Sequence, residues 1–121
     1  MSFRPPGCDS MIGYISRLKS NKSGPEGDIP AKLLKENREV LGPVLDALFS
    51  RSVDEKSFPG PMKFADISPL FKEGSRFAKA NYRPISKLPC LSKVFEMAMY
   101  DQISDYISPL LSRLLSGFHK D

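Results

Sequence analysis

Two cations, Lys72 and Arg83, are the residues whose types and spacing most readily suggest chemistry. Lys72 closes one run with strand character, and Arg83 sits in a second, shorter one. If the two strands pair across residues 72–81, an ammonium and a guanidinium converge near one point. Together they suit the oxygens of a triphosphate or a nucleic-acid backbone, the guanidinium through paired donors and the ammonium as a point charge. Taken alone, the same two residues also fit ordinary solvated strand charges.

The acidic residues suggest less. Metal-dependent phosphoryl transfer needs two or more carboxylates aimed at one point. Asp66 stands near a strand start with no partner carboxylate at a recognisable spacing. Asp101 and Asp105 lie four apart on a helix, which a solvated face explains, and Asp54 and Glu55 read as a turn pair. His119 has no Ser, Cys or Asp arrangement around it that would make a triad. With that single histidine and only Cys8 and Cys90, no Cys/His cluster can hold a structural zinc. Gly24-Pro25-Glu26-Gly27 has the wrong glycine spacing for a P-loop and lacks the Lys and Ser that follow its last Gly, so it reads as a turn. No residue is assigned to catalysis or to a metal.

The elements that must position Lys72 and Arg83 follow from periodicity. Residues 1–9 are polar and Pro-rich and read as a flexible lead-in. Ser10 is a candidate N-cap for a helix carrying Met11, Ile12, Ile15 and Leu18 on one face, ending by Ser20-Asn21. Residues 22–28 form a loop with defined turns. Asp28 then caps a helix with Pro30 in its first turn, and Gly42-Pro43 breaks the pattern so that another helix starts around Leu41 and ends near Val53. Phe58-Pro59-Gly60-Pro61 is a strong break. Strands are predicted over 64–71 and 82–86, with Pro69 and Pro84 arguing for edges, joined by a mobile polar loop over 72–81. From near Pro89, Leu91, Val94, Phe95, Ala98, Met99 and Ile103 repeat at helical spacing. Pro109 opens a short terminal helix with Leu110, Leu111, Leu114 and Leu115, ended by Gly117. The fold class is therefore α/β but helix-dominated, with four or five helices around a short antiparallel strand pair.

Composition allows one modest domain: 121 residues, of which 40% are apolar and 26% charged, with 8 Gly and 11 Pro. The net charge of +4 permits a polyanionic partner without establishing one. Met1-Ser2-Phe3-Arg4-Pro5-Pro6 carries no apolar signal region, and no stretch approaches the roughly 18 apolar residues of a membrane span. Two reduced thiols in an intracellular chain, nuclear or cytoplasmic and without a membrane partner, is the expectation.

Four blocks in order resemble the start of the reverse transcriptase domain of non-LTR (LINE-like) retrotransposons. Residues 21–35 carry a Lys22-Ser23 pair, a Gly24-Pro25-Glu26-Gly27 turn and Ile29-Pro30. Phe58-Pro59 and then Lys63-Phe64-Ala65-Asp66-Ile67-Ser68-Pro69-Leu70-Phe71-Lys72-Glu73-Gly74 form the next block. Asn81-Tyr82-Arg83-Pro84-Ile85-Ser86, with Leu88 to Glu96, is the third, and Gly117-Phe118 the last. The resemblance covers roughly residues 10–121 and implies the fingers and first edge of the palm of a right-hand polymerase. It implies Lys72 and Arg83 as the grip on the incoming nucleotide's triphosphate, Tyr82 and Pro84 as supports of that strand, and Lys22 and Lys93 as candidate nucleic-acid contacts. An RNA template, a DNA primer, a deoxynucleotide and two Mg2+ ions belong to the intact polymerase. The palm aspartates that hold those ions follow Gly-Phe in the family, so this stretch is expected to be inactive alone and to bind nucleic acid weakly or not at all.

Some positions depart from the family pattern. Glu26 replaces an Asp, and an added Asp28 precedes Ile29. Gly60-Pro61-Met62 stands in place of an acidic pair and a Trp anchor, and Lys87 in place of a buried Leu. His119 and Asp121 replace Arg and Gly. A binding module without catalysis, using the same basic strand pair on nucleic acid or protein, is the other reading. Faces at 94–103 and 110–115 that would rest against a palm predict exposed apolar surface and marginal stability.

Overall fold

The structure is a computed structural model that describes residues 2–21 and 24–111. Lys22 and the predicted terminal helix beyond Leu111 lie outside the described residues. Four α-helices and one antiparallel strand pair are described: α1 (Cys8–Ser16), α2 (Ala31–Glu36), α3 (Arg38–Glu55), β1 (Asp66–Phe71), β2 (Tyr82–Lys87) and α4 (Cys90–Ile107). The helices form one body, and the strands form a hairpin beside it.

α1 begins two residues before the expected Ser10 cap. Gly7 takes φ +95°, a turn glycine adopts without strain. Its N–H donates to the Asp46 carboxylate at 2.9 Å, and its carbonyl accepts the Met11 N–H at 3.0 Å. The helix then buries Met11 and Ile15, with Leu18 just beyond it. The residues read as a lead-in are held against the body: Phe3 packs on the core, and Arg4 and Gln102 exchange two hydrogen bonds, of 2.9 and 2.7 Å.

Gly42-Pro43 does not break the helix there. The break falls at Asn37, and α3 runs through Pro43 in its second turn. Pro43 is exposed, so water can satisfy the carbonyl its missing N–H leaves unpaired. Gly42 is where α1 crosses α3, and a Cβ there would lie 2.5 Å from Ile12 Cγ1 and 3.2 Å from the Cys8 carbonyl oxygen. The Gly-Pro pair thus marks a helix crossing. α3 ends in a Schellman arrangement: Lys56 adopts φ 51°, Ser57 donates to the Ser52 carbonyl at 3.0 Å, and Lys56 to Val53 at 3.2 Å.

The core gathers Met11, Ile15, Ala31, Leu34, Leu45, Phe49, Val94, Phe95 and Ala98. Phe95 packs edge-to-face with Phe49 and with Phe58, the ring centroids 5.4 and 6.0 Å apart. Met62, on a 3-10 turn over 60–63, is buried in the same cluster. α4 is buried only through Ala98. Leu91 and Met99 pack against the core beside it, so of the predicted apolar face only Ile103 is exposed; Tyr100 and Tyr106, outside that face, are exposed too.

Asp101 is not on a freely solvated face. It accepts the Tyr14 hydroxyl at 2.9 Å and lies 3.9 Å from Arg17 Nη1, joining α1 to α4. Burial first, and then this bond, raise the Tyr14 phenol above its usual pKa. Cys8 is exposed and Cys90 buried, and both are free thiols. Burial and the neighbouring Asp28 carboxylate push the Cys90 pKa up. Iodoacetamide at pH 8 should therefore alkylate Cys8 in the folded chain about tenfold or more faster than Cys90, the two rates converging in denaturant. Equal native rates by peptide mapping would show that Cys90 is not held this way.

Candidate functional site

β1 and β2 pair antiparallel, with Asp66 opposite Lys87, Ser68 opposite Ile85, Leu70 opposite Arg83 and Phe71 opposite Tyr82. The Lys72 N–H donates to the Asn81 carbonyl at 2.8 Å and extends the ladder by one bonded pair. Bonded and non-bonded pairs alternate along an antiparallel ladder, so 70–83, 68–85 and 66–87 are also bonded pairs. Pro69 then faces Pro84 at a non-bonded pair, where each missing N–H would have pointed outward. The two prolines cost the hairpin no internal bond, which is how both strands tolerate one in mid-run.

Side-chain alternation puts Lys72, Leu70, Arg83 and Ile85 on one face. Lys72 and Arg83 are diagonal neighbours there, so the strands pair as expected and bring both cations to the same side. The Lys72 ammonium also lies 3.7 Å from the Glu73 carboxylate in an exposed pair that screens it only weakly. Tyr82 and Pro84 lie on the other face. The Tyr82 ring meets Phe71 edge-on at 5.7 Å, and its hydroxyl donates to the Arg76 carbonyl at 2.7 Å. With Ile67, Pro69 and Lys79 they line an apolar groove of about 380 Å³. Lys87, half-buried, stands across the ladder from Asp66.

The connection over 72–81 is more built than its polar composition suggests. Asn81 Nδ2 donates to the Ser75 carbonyl at 2.8 Å, and the Ala78 N–H donates to the same residue's carbonyl at 3.3 Å. Arg76 lies over the Phe71 ring at 5.1 Å. Gly74 has φ +83°, and a Cβ there would press on the Asn81 amide at 2.8 Å.

The hairpin is held at its base by the glycine-rich turn. Pro25 to Asp28 close a β-turn with Gly27 at φ +80°. The Glu26 N–H donates to the Asp66 carboxylate at 2.9 Å, at the first residue of β1. Asp28 does not cap α2. Its carboxylate accepts the Cys90 N–H at 3.0 Å, capping α4, which follows β2 directly. One turn therefore holds both ends of the hairpin.

Lys93 is not with the hairpin cations. It stands on the first turn of α4, lining a groove of about 410 Å³ with Arg17, Lys19, Glu96 and Tyr100 among others. Charge is unevenly divided along the chain: residues 63–87 hold six basic residues and two acidic ones. The entire net charge of +4 thus resides in the hairpin segment, and the rest of the chain balances. Among the described residues no group of three or more His, Cys, Asp and Glu comes together to hold a metal ion. No described helix is long and apolar enough to cross a membrane. No protein-family model matches the chain.

Proposed function

We propose that this chain is the fingers portion of a reverse transcriptase, an RNA-directed DNA polymerase of the non-LTR retrotransposon kind. In this reading its basic hairpin grips the triphosphate of an incoming deoxynucleotide. The observation that carries the proposal is the placement of Lys72 and Arg83 on one face of an exposed hairpin that holds the chain's whole net charge. The ordered resemblance of the four sequence blocks supports it. Positive charge fixed where pyrophosphate leaves is what phosphoryl transfer asks of such an element.

The guanidinium of Arg83 would take two phosphate oxygens, and Lys72 would add a point charge beside it. Tyr82, tied to the Arg76 carbonyl, steadies the strand that presents Arg83. The role assigned to the two cations is to bind and orient the phosphates. Template and primer belong to the larger assembly in which such an element works.

A fluorescent deoxynucleoside triphosphate titrated at low salt tests this. It should bind about tenfold or more tightly than the matching monophosphate, because charge-assisted contacts scale with the oxygens presented. Lys72→Ala and Arg83→Ala should each weaken it about fivefold, near 1 kcal/mol for an exposed cation, while Lys93→Ala changes nothing. Equal affinity for tri- and monophosphate, or parental affinity in both variants, would remove the proposal and leave a non-catalytic binding module.

A further inference from the structure

The groove beside α4 that holds Lys93 plays no part in the triphosphate reading. Three helix ends meet there: Leu18 just past α1, Ala31 at the first position of α2, and Cys90 at the first position of α4. All three are buried, and with the half-buried Met97 they make an apolar floor. Burial pushes the Cys90 thiol pKa up, so the floor carries no charge at neutral pH. At about 410 Å³ the groove has the size of a small-ligand cleft.

The charged lining is Arg17, Lys19 and Lys93 against Glu96. Arg17 is already engaged, 3.9 Å from Asp101 and 5.6 Å from the centre of the Tyr14 ring. Lys19 and Lys93 form no ion pair among the described residues. The positive end of α4 does not compete for an anion, because the Asp28 carboxylate already caps it at the Cys90 N–H. An anion entering the groove is therefore left to the two ammonium groups. The ligand that complements such a lining has a short hydrocarbon body and one negative head. A nucleotide fits it less well, since its base edges would lie unpaired against the apolar floor. We propose that the groove binds a small anionic amphiphile of the acyl carboxylate class. Its chain lies against Leu18, Ala31, Cys90 and Met97, and its carboxylate beside Lys19 and Lys93. The inference goes beyond the triphosphate grip and shares no residue with it.

Cys90 reports on the groove, and Cys8, which does not line it, is an internal control. In the folded chain at pH 8, submillimolar decanoate should slow iodoacetamide alkylation of Cys90 about threefold or more and leave Cys8 unchanged. Decanol, with the same chain and no charge, should protect far less, and acetate not at all. By calorimetry, Lys93→Glu and Lys19→Glu should each weaken decanoate binding about tenfold, the change expected when an exposed cation becomes an anion. Lys72→Ala should leave it unchanged, so that loss of the triphosphate preference with decanoate binding intact would sink the polymerase reading alone. Equal protection by decanol and decanoate, or parental affinity in both charge-reversed variants, would overturn the inference. So would Cys90 protection that rises with protein concentration and not with decanoate, which would make the groove a contact with a second copy of the chain.

Discussion

Phe95→Ala should lower the free energy of unfolding by about 3–5 kcal/mol, the usual cost of emptying a large buried aromatic site. Phe95 is 1% exposed and is the ring on which α4, α3 and the segment after α3 converge. Its removal leaves a cavity and also strips an edge-to-face partner from both Phe49 and Phe58, contacts worth about 0.5–1.5 kcal/mol each beyond area alone. The whole fold of a small domain is worth about 5–15 kcal/mol, so the variant should melt far below the parent or be largely unfolded at room temperature. Urea denaturation followed by circular dichroism measures this. A loss under about 1 kcal/mol would mean that the three rings are not the centre of the core.

The next largest effect is expected at a surface turn. Asp28→Ala should cost about 1–2 kcal/mol, because α4 loses the carboxylate that accepts its first N–H and complements the positive end of its dipole. Asp28→Asn keeps an acceptor in place and should cost about half as much. Gly24→Ala should imitate the loss by another route, since a Cβ there collides with the Asp28 carboxylate. Hydrogen exchange gives the specific readout, with the Cys90 amide losing protection ahead of the rest of α4. If Asp28→Ala melts with the parent, the turn does not hold the helix.

Much of this architecture can be read from spacing alone. The 3- and 4-residue repeat through Val94, Phe95 and Ala98 identifies α4, and the punctuated apolar runs on either side of residues 72–81 identify the hairpin. Spacing fails where a partner is distant in sequence. Nothing local distinguishes an Asp28 that caps the next helix from one that caps a helix 62 positions away. Likewise Gly42 is needed by α1, not by its own helix, so a glycine selected for close approach reads as a break. Ile103 repeats in phase with the core but lies past the point where other elements cover α4, and periodicity carries no information on where cover ends. At the site, the common face of Lys72 and Arg83 follows from strand alternation once pairing is granted. The full exposure of Phe77 has no signal in a ten-residue polar loop, because a single aromatic residue there carries no periodicity.

The facing prolines of the hairpin carry one more implication. On each strand the middle of the three outward-directed backbone positions belongs to a residue that has no hydrogen to give. A foreign extended segment laid along either rim would find its row of donors interrupted at the centre. Ile67, Leu70 and Ile85 leave this ribbon apolar enough to invite such additions, and Pro69 and Pro84 guard it against growing into a wider sheet or a fibril.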